Sequence, residues 1–175
     1  MSASRVLVAE DDRVARDLLC EILRGEGYEV EAVDDGAGAI ERAQSGEGRY
    51  DLVVSDVRME RSGGFDVLEA FTKKAPGTPV ILITAFGDVS GAMDAIQRGA
   101  YDYVSKPFNI EELRLTVGRA LERRRLVAEH HPDRLIAKGV PEELLAVATA
   151  RMAAINHAYA QILKPRVLAA PENAA

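Results

Sequence analysis

Only one cysteine, Cys20, occurs in the 175 residues. That excludes an internal disulfide and points to a reducing, cytoplasmic setting. No apolar run approaches the ~20 residues that a membrane-spanning helix needs. Met1-Ser2-Ala3-Ser4-Arg5 leads into the first apolar run with no targeting segment, so membrane insertion is not expected. Positive charge is in deficit: Lys+Arg total 22 against Asp+Glu 28, a formal net charge of -6. Free nucleic acid therefore gains no general attraction, and direct nucleic-acid binding is not expected. The histidines and the lone cysteine form no spacing that would hold a metal, and His157 sits inside a helical pattern. The chain is also too short for two large domains. One well-packed domain with a small helical appendage fits its length.

What the sequence does contain is a set of short apolar runs that each end in chemistry. Val6-Leu7-Val8-Ala9 stops at Glu10-Asp11-Asp12, and Val53-Val54-Ser55 stops at Asp56. Val80 to Ile83 stops at Thr84, and Tyr101 to Val104 is followed by Lys106-Pro107. Read as strands of a parallel sheet, these runs deliver acids, a hydroxyl and an ammonium to the edge where such sheets bind ligands. Between them lie helical patterns. Arg13 to Arg24 carries Val14, Leu18, Leu19 and Ile22 as its buried side and ends at Gly25 and Gly27. Residues 28–33 form an outer strand and 35–44 a short Ala-rich helix. Phe65, Leu68 and Phe71 face the sheet from the next helix. The 88–97 helix contains Gly91, at a cost of about 1 kcal/mol relative to alanine.

Leu113, Val117 and Leu121 mark the last sheet-packing helix, which runs on toward Glu129. Pro132 interrupts it. A separate long helix then spans about 141–164, with Leu144, Ala148, Met152, Ile155, Tyr159 and Ile162 along one side. Regular strand and helix alternation with right-handed crossovers predicts an α/β fold: a doubly wound five-stranded parallel sheet of order 2-1-3-4-5 with a C-terminal helical extension. The expected divisions are 4–124 for the sheet domain, 125–166 for the extension and 167–175 for a tail.

Taken alone, Asp56 serves equally well as a turn cap. Beside the other strand ends it reads as a nucleophile, because an aspartate carboxylate can accept a phosphoryl group as an acyl phosphate. Glu10 and Asp11 are hard oxygen ligands suited to Mg2+, while Asp12 fits the cap of the helix at Arg13. Thr84 can donate to a phosphoryl oxygen, and Lys106 can balance the charge of in-line transfer. Tyr103 is open to two readings, edge-strand packing or an aromatic whose orientation tracks Thr84.

Four motifs, Glu10-Asp11-Asp12, Asp56-Val57-Arg58-Met59, Thr84-Ala85-Phe86-Gly87-Asp88 and Tyr103 to Phe108, together resemble the receiver domain of bacterial two-component response regulators of the NtrC-like type, over residues 4–124. The resemblance implies that Asp56 is the phosphoacceptor. Glu10, Asp11, Asp56 and the backbone carbonyl of Arg58 are then the protein ligands of Mg2+, Thr84 and Lys106 sense and balance the phosphoryl group, and Tyr103 is the aromatic switch. It also implies a histidine kinase or phosphotransfer protein as donor, a downstream protein partner, and the option of homodimerisation. Glu60 stands where the family often has proline, and Gly63 where an acid is common.

The run Arg124 to Leu135 and the long helix after it resemble part of a J domain, as in DjlA-type cochaperones, with His131-Pro132-Asp133 as the signature turn. Arg124 and Arg125 then form the basic face that meets an Hsp70. A separate first J helix is missing, and Arg123 replaces an aromatic. The plainer reading of His131 and Asp133, which the residues favour, is a helix-turn-helix connector. The leading expectation is thus a phosphorylation-controlled signalling protein acting through protein contacts. A receiver-controlled cochaperone is the alternative from another class, and a receiver that has lost phosphorylation is a third. A haloacid-dehalogenase-like phosphatase fits less well, since no substrate-covering domain is evident.

Overall fold

A computed structural model describes residues 3–45, 49–85, 88–129 and 142–168. The elements in chain order are β1 (Arg5–Ala9), α1 (Arg13–Gly25), β2 (Glu29–Val33), α2 (Gly36–Ser45), β3 (Leu52–Asp56), α3 (Gly64–Lys74), β4 (Val80–Thr84), α4 (Val89–Gln97), β5 (Asp102–Ser105), α5 (Ile110–Glu129) and α6 (Glu142–Leu168). The chain divides into two compact units, Met1–Leu121 and Glu122–Ala175.

In the first unit the five strands form one sheet of order β2-β1-β3-β4-β5, parallel throughout, as the strand and helix alternation predicts. β3 and β4 are buried along their whole length and β1 from Val6 onward, because helices cover both faces and leave no solvent side for polar residues. β2, at the edge, keeps Glu29 and Ala32 exposed. The register pairs Ala9 with Ser55, Asp56 with Ile83 and Thr84 with Ser105. It therefore brings the polar ends of β1, β3, β4 and β5 to one rim.

The helix phases differ from expectation in particular places. On α1, Val14 is 76% exposed and Leu18 42%, whereas Leu19, Cys20, Ile22 and Leu23 are buried. Apolar residues at 18, 19, 20, 22 and 23 offer two overlapping stripes at helical spacing, and the sheet takes the one centred on Leu19 and Leu23. On α3 the buried set is Gly64, Val67, Leu68 and Phe71. Phe65 is only half-buried, with the Arg98 guanidinium 4.7 Å from its ring centre. On α5, Leu113, Thr116, Val117 and Ala120 are buried and Leu121 is half-buried.

In the second unit, Arg123 Nη2 donates to Asn156 Oδ1 at 3.1 Å. Met152 and Ile155 of α6 are half-buried. Leu144, expected on the same apolar side, is 54% exposed; it stands in the first turn of α6, where fewer neighbouring turns cover a side chain than in the middle of a helix. The His131-Pro132-Asp133 turn lies outside the described residues. Among the described residues no helix is long and apolar enough to cross a membrane.

Candidate functional site

Each chemical side chain at the rim is delivered by the end of a strand. Asp56 is the last residue of β3 and only 7% exposed. Its Oδ1 accepts from the backbone N–H of Arg58 at 2.8 Å, so the carboxylate caps the turn that follows β3. Its carbonyl accepts the Ser55 hydroxyl at 3.0 Å. Lys106 follows β5, anchored by its backbone N–H on the Thr84 carbonyl at 2.7 Å. From there its ammonium hydrogen-bonds Asp56 Oδ2 and lies 2.9 Å from Glu10 Oε2.

Glu10 is fully buried just past β1, its own N–H tied to the Val33 carbonyl at 3.2 Å. One carboxylate oxygen, Oε1, accepts from Asp12 N–H at 3.3 Å. The other, Oε2, has the Lys106 ion pair but no hydrogen bond of good geometry. Burial pushes the Glu10 carboxyl above its ordinary range, and the nearby Asp56 charge adds to the rise against the pull of Lys106. For Lys106, burial works to lower the pKa, but the hydrogen bonds and charges of Asp56 and Glu10 prevail and raise it. Asp11 is exposed, and its Oδ2 accepts from Glu60 N–H at 3.3 Å. One oxygen each from Glu10, Asp11 and Asp56 lie within 4.8 Å of one another. Fully ionised, three carboxylates against one ammonium leave an excess of two negative charges, which invites a divalent cation.

The loop after Asp56 is tightly fitted. A Cβ on Gly64 would lie 2.4 Å from the Asp56 carbonyl oxygen, and one on Gly63 2.8 Å from that of Val57. Glycine at 63 is thus matched to the local backbone, which leaves little room for a side chain. Arg61 adopts a left-handed backbone, φ 69, and its guanidinium pairs with Asp35 at 3.4 Å. Asp35 also caps the start of α2 through Gly38 N–H at 2.7 Å.

Glu10, Asp11, Asp56 and Lys106 come together at the rim. Thr84 stands on the same rim, 1% exposed, and Arg58 reaches the site through its backbone while its side chain is exposed. Tyr103 is half-buried. It pairs in register with Leu82, two residues before Thr84, so Thr84 and Tyr103 share one face of the sheet. Asp12 caps α1 through Ala15 N–H at 2.7 Å. Arg124 and Arg125 lie on α5 in the second unit, where Arg125 pairs with Glu129 at 4.0 Å.

Sequence reasoning missed two contributors. Arg16 reaches back from α1 to the carbonyls of Glu10 and Asp11, at 2.6 and 3.2 Å. The Glu60 amide holds Asp11. A basic residue in the first turn of a helix looks like any solvated charge, and a backbone N–H carries no sequence signal.

Residues 6–118 match the response regulator receiver domain family. The chain is 40% identical over 121 residues to the DNA-binding transcriptional regulator NtrC of Bradyrhizobium sp. (strain RP501 Parasponia), covering 69% of this chain and 25% of that protein. It is 39% identical over 124 residues to the transcriptional regulatory protein TcrA of Mycobacterium tuberculosis (strain ATCC 25618 / H37Rv), covering 71% of this chain and 48% of that one. Among solved structures it is similar to NtrX from Brucella abortus, with a TM-score of 0.68, 35% identity, and coverage of 73% of this chain and 29% of that one. The chain thus spans about a quarter of the NtrC length and about half of TcrA.

Proposed function

Because this chain belongs to the response regulator receiver domain family, we propose that it is a cytoplasmic receiver that accepts a phosphoryl group on Asp56 from a histidine kinase or phosphotransfer protein and thereby changes its protein contacts. The observation that carries this reading is the Lys106 ammonium, which touches both Asp56 and the buried Glu10. A lysine spanning two acids at a strand-end rim is arranged to follow negative charge as it moves.

In the proposed step an Asp56 carboxylate oxygen attacks the phosphorus of a phosphohistidine in line. An O–P bond forms, the N–P bond breaks, and its electron pair stays on the imidazole nitrogen, which is then protonated. Lys106 shifts from the resting carboxylate toward the phosphoryl oxygens, and Thr84 turns its hydroxyl to the same group. Attack of water on the acyl phosphate later restores the carboxylate.

Mg2+ suits the donor set, since the buried Glu10 Oε2 has the Lys106 ammonium as its ion-pair partner and hard carboxylates cluster around it. Glu10, Asp11 and Asp56 would hold the ion, with the Arg58 carbonyl as a further protein ligand. When bound, it offsets the excess negative charge that would repel an incoming phosphoryl group.

Thr84 and Tyr103 lie on the same sheet face, which supports their coupling: a Thr84 drawn to phosphate leaves room for Tyr103 to move inward, altering the surface near α4. DNA binding belongs to the NtrC relative as a whole, of which the matched region is 25%. For the protein carrying this receiver, a downstream partner or a second copy of the chain is the proposed recipient of the signal. No observation on the described residues favours the cochaperone alternative, in which Arg124, Arg125 and His131-Pro132-Asp133 meet an Hsp70; the family match ends at residue 118 and does not reach them.

Incubation with acetyl phosphate and Mg2+ tests the proposal. Intact-protein mass should rise by one phosphoryl group, hydroxylamine should remove it, and Asp56→Asn should abolish it. A wild-type chain that gains no mass would count decisively against phosphoacceptance.

A further inference from the structure

Arg16 is half-buried in the first turn of α1. Instead of extending into solvent, its Nη1 folds back to donate to the Glu10 carbonyl at 2.6 Å and the Asp11 carbonyl at 3.2 Å. We propose that Arg16 is a positioning residue for the acidic pair, one guanidinium nitrogen pinning two successive carbonyls so that the Glu10 and Asp11 carboxylates converge with Asp56 on one cation. This rests on the cation-assisted receiver reading above.

Glu10 and Asp11 are adjacent, and in an extended chain adjacent side chains point to opposite sides. Bringing both carboxylates within 4.8 Å of Asp56 therefore requires the backbone to leave β geometry between them, which a fixed pair of carbonyls enforces. Next, Arg16 binds backbone oxygens, so its hydrogen bonds leave the carboxylate oxygens available to a cation. Finally, the helix holds the anchor itself, with Arg16 N–H on the Asp12 carbonyl at 2.9 Å, so the brace is tied to a rigid element. Two carbonyls held at one nitrogen suit a planar, pre-organised guanidinium better than a compact, rotatable ammonium.

A purely electrostatic role predicts the reverse behaviour. A cation beside the acidic cluster repels Mg2+, so removing its charge should tighten binding. The two effects have opposite signs and can be separated.

Mg2+ is titrated into the full chain by calorimetry, with backbone amide shifts of residues 10–12 followed by NMR before and after addition. Arg16→Lys keeps the charge but not the longer, planar head that places Nη1 between the two carbonyls, and Arg16→Met removes both. Positioning predicts Mg2+ affinity weakened about tenfold or more in each variant, with the amides of Glu10, Asp11 and Asp12 already displaced before Mg2+ is added. Wild-type affinity in Arg16→Lys together with tighter binding in Arg16→Met would overturn the inference, as would unchanged affinity in both. Failure of the wild-type chain to bind Mg2+ at all would overturn the receiver reading and this inference together. Should Arg16→Met fold poorly, the comparison of Arg16→Lys with wild type decides alone.

Discussion

The Lys106 ammonium is hydrogen-bonded to the Asp56 carboxylate across a sequence separation of 50 residues. The contact exists because β5 ends where the Lys106 N–H locks onto the Thr84 carbonyl at 2.7 Å, which aims the side chain back across β4 toward β3. Replacing Lys106 by methionine keeps the aliphatic stem and removes the charge. The initial rate of Asp56 phosphorylation by acetyl phosphate should then fall about a hundredfold, read as mass gain against time, while the circular dichroism of the domain stays that of wild type. An unchanged rate would remove Lys106 from the chemistry.

Glu10 should trade stability for function. Its folded pKa is raised, chiefly by burial, so the folded chain holds this proton more tightly than the unfolded chain. Stability is accordingly highest while Glu10 is protonated and declines as pH rises from the ordinary carboxylate value of 4.5 through the higher folded value. Glu10→Gln removes that decline. At neutral pH without Mg2+ it should unfold at a higher temperature than wild type, yet gain less stability from added Mg2+ than wild type should. Thermal melts with and without Mg2+ give both readings.

Gly64 has no space for a methyl group. Its Cβ would meet the Asp56 carbonyl oxygen at 2.4 Å and both Leu82 Cδ2 and the Val57 Cα at 3.0 Å. Two of these three are backbone atoms, which cannot turn aside. Gly64→Ala should cost about 1–3 kcal/mol in urea denaturation and slow phosphorylation by shifting the end of β3. A stability within error of wild type would show that the loop gives way freely.

The Glu60 amide competes for Asp11. Proline at this position has no N–H, so Glu60→Pro removes the 3.3 Å hydrogen bond to Asp11 Oδ2 and leaves that oxygen free. Mg2+ affinity should rise about threefold, the worth of one modest hydrogen bond. Glu60→Ala, which keeps the amide, separates this effect from the loss of a nearby negative charge.

Tyr50 should ionise well above an ordinary tyrosine. Burial and its hydrogen bond to Glu31 Oε2, at 2.6 Å, push its phenol up to about 12 from an ordinary 10.0. The same contact, after the Arg42 hydrogen bond, holds Glu31 below its usual range. Because the folded phenol is the weaker acid, its contribution to stability is complete below pH 10 and is lost between about 10 and about 12. Tyr50→Phe should erase a phenolate absorbance step near pH 12 and lower stability by about 1 kcal/mol, as read by chemical denaturation at neutral pH.

Much of this architecture was written along the chain. Short, mainly apolar runs that stop at Glu10, Asp56 and Thr84, alternating with longer helical patterns, read as strands covered on both faces. Their alternation with helical segments determines a parallel sheet, and hence one rim for all their ends. The identity of the acids, hydroxyl and lysine is a local property, legible before any fold. Helix phase is not local in the same way. Leu18-Leu19-Cys20 offers two faces of nearly equal apolarity, and only packing against the sheet chose the one that leaves Val14 and Leu18 in solvent.

The same holds for the fine geometry of the site. That Arg16 folds back onto two carbonyls, that the Glu60 amide sits on Asp11, and that Gly64 lies under the Asp56 carbonyl depend on distances between segments that are remote in the chain or joined by a turn. Composition and spacing determined which groups this protein brings to its rim. Tertiary structure alone decided how they are held, because hydrogen bonds to backbone atoms and close approaches of main chain to main chain leave no mark in the order of side chains.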